Sequence, residues 1–171
     1  MTLPAQEHWY AVWTRSHAER LVHDQLAAKG FDVFLPMLHV WSRRGGERHA
    51  INVPMFPGYL FLRHAMDKSS YAQVLQARGL VRLLGESWDR LTTLPDGEIH
   101  SIKSVLSAQL AVMAHPFLRL GQRVRVTRGP LADVEGILVR TQPDKDLLVL
   151  SVETLRQSIA VVVEAVDVTP A

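Results

Sequence analysis

Apolar positions along this chain recur in two rhythms, and the change between them divides it. From about residue 8 to residue 113, short runs of period two alternate with stretches at helical spacing. From residue 120 to residue 169 only short β-branched runs occur, with turn residues between them. A period near 3.6 gathers apolar side chains on one helix face, and a period of two gathers them on one strand face. The pattern therefore predicts a larger α+β domain followed by a small all-β one.

Trp9–Thr14, aromatic and β-branched, reads as a strand. Ser16-His17-Ala18-Glu19 has the spacing of a capping box, and Ala18, Leu21, Val22, Gln25 and Leu26 continue as a helix that Gly30 stops. Phe31–Leu35 is a second strand. Leu38–Arg43 and Arg48–Val53 flank Arg44-Gly45-Gly46-Glu47 as a hairpin whose tip carries Arg43, Arg44 and Arg48. Pro57-Gly58 marks a turn before the strand Tyr59–Arg63. Ser69–Gln76 reads as a helix, Leu80–Leu84 as a strand, and Asp96–Met113 as the longest helix. In the tail, Arg123–Thr127, Glu135–Arg140, Leu147–Val152, Ser158–Val163 and Val166–Val168 are predicted strands, with breaks at Gly129-Pro130, Pro143-Asp144 and Glu153-Thr154. So many short strands must wrap on themselves into a small barrel. The expected boundaries are a domain over 7–113, a linker over 114–119 and a barrel over 120–169.

Composition narrows the chemistry. The chain of 171 residues has no cysteine, which excludes a disulfide scaffold and thiolate zinc sites. No apolar run is long enough to span a membrane and no basic segment precedes Trp9–Trp13, so a cytoplasmic protein is expected; it is also expected to be a monomer. The net charge is only +2; residues 114–171 carry seven basic and seven acidic side chains. Proteins that hold free nucleic acid by counterion release need a marked basic excess, so any such contact here is local and assisted by a protein partner. The eight histidines are scattered, and phosphate-loop, nucleophile-elbow and metalloprotease motifs are all missing. No enzyme, metal or cofactor is expected.

Two motifs remain. In Pro54-Met55-Phe56-Pro57-Gly58-Tyr59-Leu60-Phe61-Leu62, two prolines bracket Phe56 and hold its backbone extended. Tyr59 and Phe61 fit a core strand, whereas Phe56, just before a turn, is expected at the surface. The second is Leu120-Gly121-Gln122-Arg123-Val124-Arg125-Val126, followed by Gly129-Pro130-Leu131-Ala132-Asp133 and Glu135-Gly136, a strand–loop–strand start to a barrel. Gly136 sits where another backbone could approach closely.

Together these motifs resemble the NusG family of transcription elongation factors, most closely its specialised RfaH-like paralogues. Trp9-Tyr10, Glu19, Phe56-Pro57-Gly58-Tyr59 and Arg78-Gly79-Leu80 match the family's N-terminal domain, and Gly121 to Gly136 matches a KOW motif. The resemblance runs from Trp9 to Val168. Two departures point to the paralogues: Leu131 stands where general members have phenylalanine, and Ser151–Arg156 lacks their Phe-Gly-Arg turn. The His-Thr-Thr element of RfaH is not reproduced at Ser69-Ser70-Tyr71.

The resemblance implies an α+β NusG-type domain followed by an SH3-like KOW β-barrel. It implies binding to RNA polymerase at the β′ clamp helices through Phe56, Tyr59 and Tyr10, with Trp9 in the core. It implies a second contact to the β gate loop near Ser69 and Ser70, and suppression of pausing and termination. Arg15, Arg20 and Arg78 fall where RfaH-like proteins touch the non-template DNA strand, although a solvated charge explains each equally well. The KOW domain would act as an adaptor for a small-subunit ribosomal protein or Rho through Leu131 and Val134, unless these pack inside the loop. The rival reading is a KOW-bearing RNA-binding or ribosome-associated module, which the neutral tail disfavours.

Overall fold

The computed structural model describes residues 3–142, 145–164 and 167–171. The chain divides into two compact units, Met1–Asp96 and Gly97–Ala171.

The first unit is built on one antiparallel sheet. Its path is β2 (Asp32–Phe34), β5 (Tyr59–His64), β1 (His8–Thr14) and β6 (Leu80–Leu83), with β7 (Thr93–Leu94) also pairing β1. Side chains alternate across a strand. On one face Tyr10, Val12, Leu60, Leu62 and Leu83 meet Val22 and Leu26 of α1 (Glu19–Ala28) and Val74 of α2 (Lys68–Leu75) in a buried core. On the other face Ala11 pairs Phe61, and an aromatic chain runs through Trp9, Phe34, Phe61 and Phe56, with neighbouring ring centroids 6.1–6.4 Å apart. β3 (Met37–Arg44) and β4 (Glu47–Pro54) form a separate two-stranded hairpin closed at Gly45-Gly46.

The second unit opens with α3 (Asp96–Ser107) and continues as a six-stranded antiparallel sheet. Its order is β13 (Val168–Pro170), β9 (Gln122–Val126), β10 (Glu135–Gln142), β11 (Lys145–Val152), β12 (Gln157–Val163) and β8 (Val112–His115). This is the expected KOW/SH3-like succession of short strands. At Gly136 an added Cβ would lie 2.7 Å from the Val149 carbonyl oxygen, so glycine lets β10 and β11 approach. Pro143, Asp144 and Val166, expected in a turn and in the last strand, lie outside the described residues.

Three expectations need correction. The long helix ends at Ser107 instead of Met113: Gln109 takes a left-handed φ of 54°, and the chain turns to pair as β8 with β12. Leu110 and Met113 remain exposed after the turn, and the backbone of this stretch is satisfied by the β12 edge instead of a further helical turn. The expected linker over 114–119 therefore begins inside a strand. Finally, Ser16 does not cap α1; Ala18 holds the cap position with no side-chain bond, and Glu19 turns elsewhere.

Within the second unit, Glu98, Ser101 and Ile102 of α3 and Leu118, Ile137 and Val149 of the barrel line a cleft of about 570 Å³. Glu98 Oε2 is buried with no hydrogen-bond partner among the described residues. Burial, and then the charge of Glu153, push the Glu98 pKa up. A carboxyl whose folded pKa is raised takes up its proton in the folded state first, so its ionised form opposes folding at neutral pH and that penalty fades as pH falls toward the unfolded value. Glu98→Gln is expected to raise the melting temperature at about pH 7 and to give no gain near pH 4. Equal gains at both values would show that charge is not the cause.

Candidate interaction site

The Phe56–Tyr59 turn is held from below by α1. The Glu19 carboxylate is buried, and its Oε1 accepts the Gly58 N–H at 2.9 Å. The Gly58 carbonyl in turn accepts the Thr14 N–H at 2.8 Å. Gly58 has φ +86°, a left-handed conformation that glycine adopts without strain. The turn therefore delivers Tyr59 to the start of β5, directly opposite Trp13 on β1.

Trp13 is the residue that the reading by motif passed over. It shares a sheet face with buried Trp9 and Ala11, yet it is 40% exposed. Arg82, its cross-strand partner on β6, places its guanidinium 5.9 Å from the Trp13 ring centroid. Aromatic Trp13, half-buried Tyr59 and Arg82 thus form an accessible edge to an otherwise buried aromatic face. Alternation within Trp9-Tyr10-Ala11-Val12-Trp13 was the available signal: an aromatic at the open end of a strand whose neighbours on the same face, Ala11 and Trp9, are apolar.

The surface ring expected at Phe56 is not there. Phe56 is 1% exposed and packs edge-on against Phe61 at 6.1 Å. Its extended backbone and the Glu19-held turn direct the ring inward. Tyr10 is likewise a core residue, 6% exposed; burial pushes its phenol pKa up while a hydrogen bond with the Met66 backbone opposes that shift. Trp9 is buried as expected.

Arg15, Arg20 and Arg78 are all exposed, and none joins an ion pair among the described residues. The fold brings two of them together. The Arg15 N–H donates to the Gly79 carbonyl at 2.8 Å. Gln25 of α1 clamps Arg78 through its backbone, accepting its N–H at 3.0 Å and donating to its carbonyl at 2.9 Å. Arg15 and Arg78 therefore flank the same end of the sheet as Trp13.

Ser69 and Ser70 lie at the other end of β5, in the first turn of α2. Ser69 is exposed, whereas Ser70 is engaged: its N–H donates to the Asp67 cap at 2.7 Å and its hydroxyl lies 2.9 Å from His64 Nε2. The Ser70 N–H bond first, and then a side-chain hydrogen bond from Ser70 to the carboxylate, hold the Asp67 carboxyl below its ordinary range. In the KOW unit, Leu131 and Val134 are 2% and 1% exposed, so both pack inside the loop rather than presenting apolar surface.

Fold and site together define a class: an α+β domain with an aromatic-edged sheet, joined to a KOW/SH3-like unit. Comparison with known proteins makes the class specific. The family model for NusG, described as transcription termination factor nusG, matches residues 7–103. The transcription termination/antitermination protein NusG of Yersinia pestis is 28% identical over 89% of this chain and 90% of its own length. The proteins of that name from Escherichia coli K12 (29% identity, 71% and 67% coverage) and Vibrio vulnificus (26%, 96% and 96%) are similar too. A solved structure of Thermotoga maritima NusG shares the fold, with a TM-score of 0.61 over 96% of this chain and 97% of that one, at 19% identity. This chain belongs to the NusG family. Its relatives bear the names of transcription factors, not enzymes. No helix among the described residues is long and apolar enough to cross a membrane.

Proposed function

We propose that this protein is an elongation and antitermination factor that binds RNA polymerase through the aromatic edge of its first unit. Trp13 and Tyr59 supply the apolar contact to the β′ clamp helices, with Phe56 and Tyr10 shaping the sheet behind them. The carrying observation is an exposed tryptophan opposite Tyr59 on the turn that matches the family motif. Aromatic anchors of this kind dominate interfaces, because a fully buried ring contributes roughly 1.5–3 kcal/mol. Ser69 reaches toward the β gate loop. Arg15, Arg20 and Arg78 take the phosphates of the non-template strand, where a few local cations suffice once the polymerase supplies the anchor.

The KOW unit is the adaptor, for a small-subunit ribosomal protein or Rho. Leu131 replaces the phenylalanine of general members and is buried, so the loop offers little apolar surface to a Rho-type partner. That supports the specialised, antiterminating branch. The RNA-binding alternative is weakened further by ion pairing: Arg119, Arg125 and Arg128 already bond Glu153, Glu135 and Asp167.

Binding of the full-length protein to purified polymerase tests the reading. Trp13→Ala or Tyr59→Ala is expected to weaken affinity by about tenfold or more, and Arg44→Ala to leave it unchanged. Equal losses from all three, or no binding by the unaltered protein, would overturn it. On a template with a Rho-dependent terminator, added protein is expected to increase read-through.

A further inference from the structure

The outer edge of β12 is closed by the chain itself. β8 pairs with it antiparallel, Val112 opposite Val161, Met113 opposite Ala160, Ala114 opposite Ile159 and His115 opposite Ser158, and the Val162 N–H donates to the Ala111 carbonyl at 3.3 Å. An open sheet edge presents a row of backbone donors and acceptors that recruits any compatible extended segment. What holds β8 there is mainly that ladder. Met113 is 43% exposed and Ala114 is exposed too. A short strand with so little side-chain burial lies at the low end of local stability.

Two neighbouring features suit the edge to exchange. Downstream, Leu118 is fixed to the barrel independently of β8: its N–H donates to the Ser158 hydroxyl at 3.2 Å and its carbonyl accepts from the Ser151 hydroxyl. Release of β8 therefore need not detach the following chain. Upstream, Leu110 lines a cleft of about 590 Å³ with Val126, Leu131, Val162 and Val163. The cleft supplies an apolar recess at the end of the paired edge, and an occupant's side chain can be read there.

We propose that the β12 edge is a docking edge for an extended strand of another protein, carrying an aliphatic residue at the position of Leu110, and that β8 occupies the edge in cis so that such a partner binds as β8 leaves. The occupant is a polypeptide because the edge offers alternating backbone donors and acceptors beside an apolar recess. The edge lies wholly within the second unit, so the inference stands whether or not the polymerase reading holds.

The test uses the full-length protein and a labelled synthetic peptide of residues 108–117. Since Ala111 and Val162 form a hydrogen-bonded pair, so do Met113 and Ala160 two residues further along. Met113→Pro removes that donor at an exposed side chain. The peptide is expected to bind Met113→Pro at least tenfold more tightly than the unaltered protein. The Ala160 and Val162 amides should exchange faster in the variant and regain protection when peptide is added. A peptide with Leu110→Asp should not bind. Slow exchange at Leu148 and Val149 verifies the barrel, and a second variant, Val112→Gly with Ala114→Gly, should show the same gain without proline. Equal peptide binding to variants and unaltered protein, or binding to none, overturns the proposal.

Discussion

Phe56→Ala should lower the stability of the first unit by about 3–5 kcal/mol, the usual cost of emptying a buried phenylalanine site. The ring is among the largest fully buried side chains of the molecule and closes an aromatic chain through Phe61 and Phe34 to Trp9. Its removal forfeits apolar burial and an edge-to-face contact, and the space it leaves adjoins rigid strands that cannot collapse into it. Domains are stable by only about 5–15 kcal/mol, so the loss removes a large part of the total. All four tryptophans, Trp9, Trp13, Trp41 and Trp88, lie in the first unit, so their fluorescence in a urea titration reports that unit alone. Tyr59→Ala, at a half-buried position, should shift the midpoint far less. A loss below about 1 kcal/mol at Phe56 would contradict the packing described here.

Glu19→Ala is expected to cost about 1–3 kcal/mol, because it strands the Gly58 N–H without its charged acceptor. The effect should extend beyond stability. Gly58 is the last turn residue before Tyr59, which it sets opposite Trp13, so the loosened turn should also weaken polymerase binding on the proposed reading. Glu19→Gln keeps a carbonyl oxygen in reach and should recover most of both losses. Hydrogen exchange at Gly58 is the direct measurement: faster exchange in Glu19→Ala and near-normal exchange in Glu19→Gln are expected. An unchanged Gly58 amide in Glu19→Ala would show that this bond does not hold the turn.

The two variants separate roles that one sequence motif runs together. Phe56-Pro57-Gly58-Tyr59 reads as a single signature, yet its first ring is internal support, its glycine is a hinge point bonded to α1, and only its last ring approaches the surface. Glu19 shows the converse. Its spacing from Ser16 fits a local cap, but its carboxylate serves a partner 39 residues away in the chain.

Much of the architecture was legible from local pattern alone. β1, α1, β2, the β3–β4 hairpin, β5, α2 and β6 follow from period, turn residues and Gly30, because each of these elements satisfies its own backbone and presents one apolar face. The run of short KOW strands follows from the same reasoning, as does the close approach at Gly136. What tertiary structure alone decided concerns competition among distant partners. Leu110 and Met113 carry a helical period, but the free edge of β12 captures the chain as β8 after Ser107. Phe56 is buried where the surface was expected, and Trp13 is exposed, because burial depends on which end of the sheet is covered, a quantity that residue type does not encode. Arg15 and Arg78, distant in sequence, become neighbours through one backbone bond to Gly79 and the Gln25 clamp. Local sequence determined the elements and their order; long-range pairing determined which of their side chains remain available to a partner.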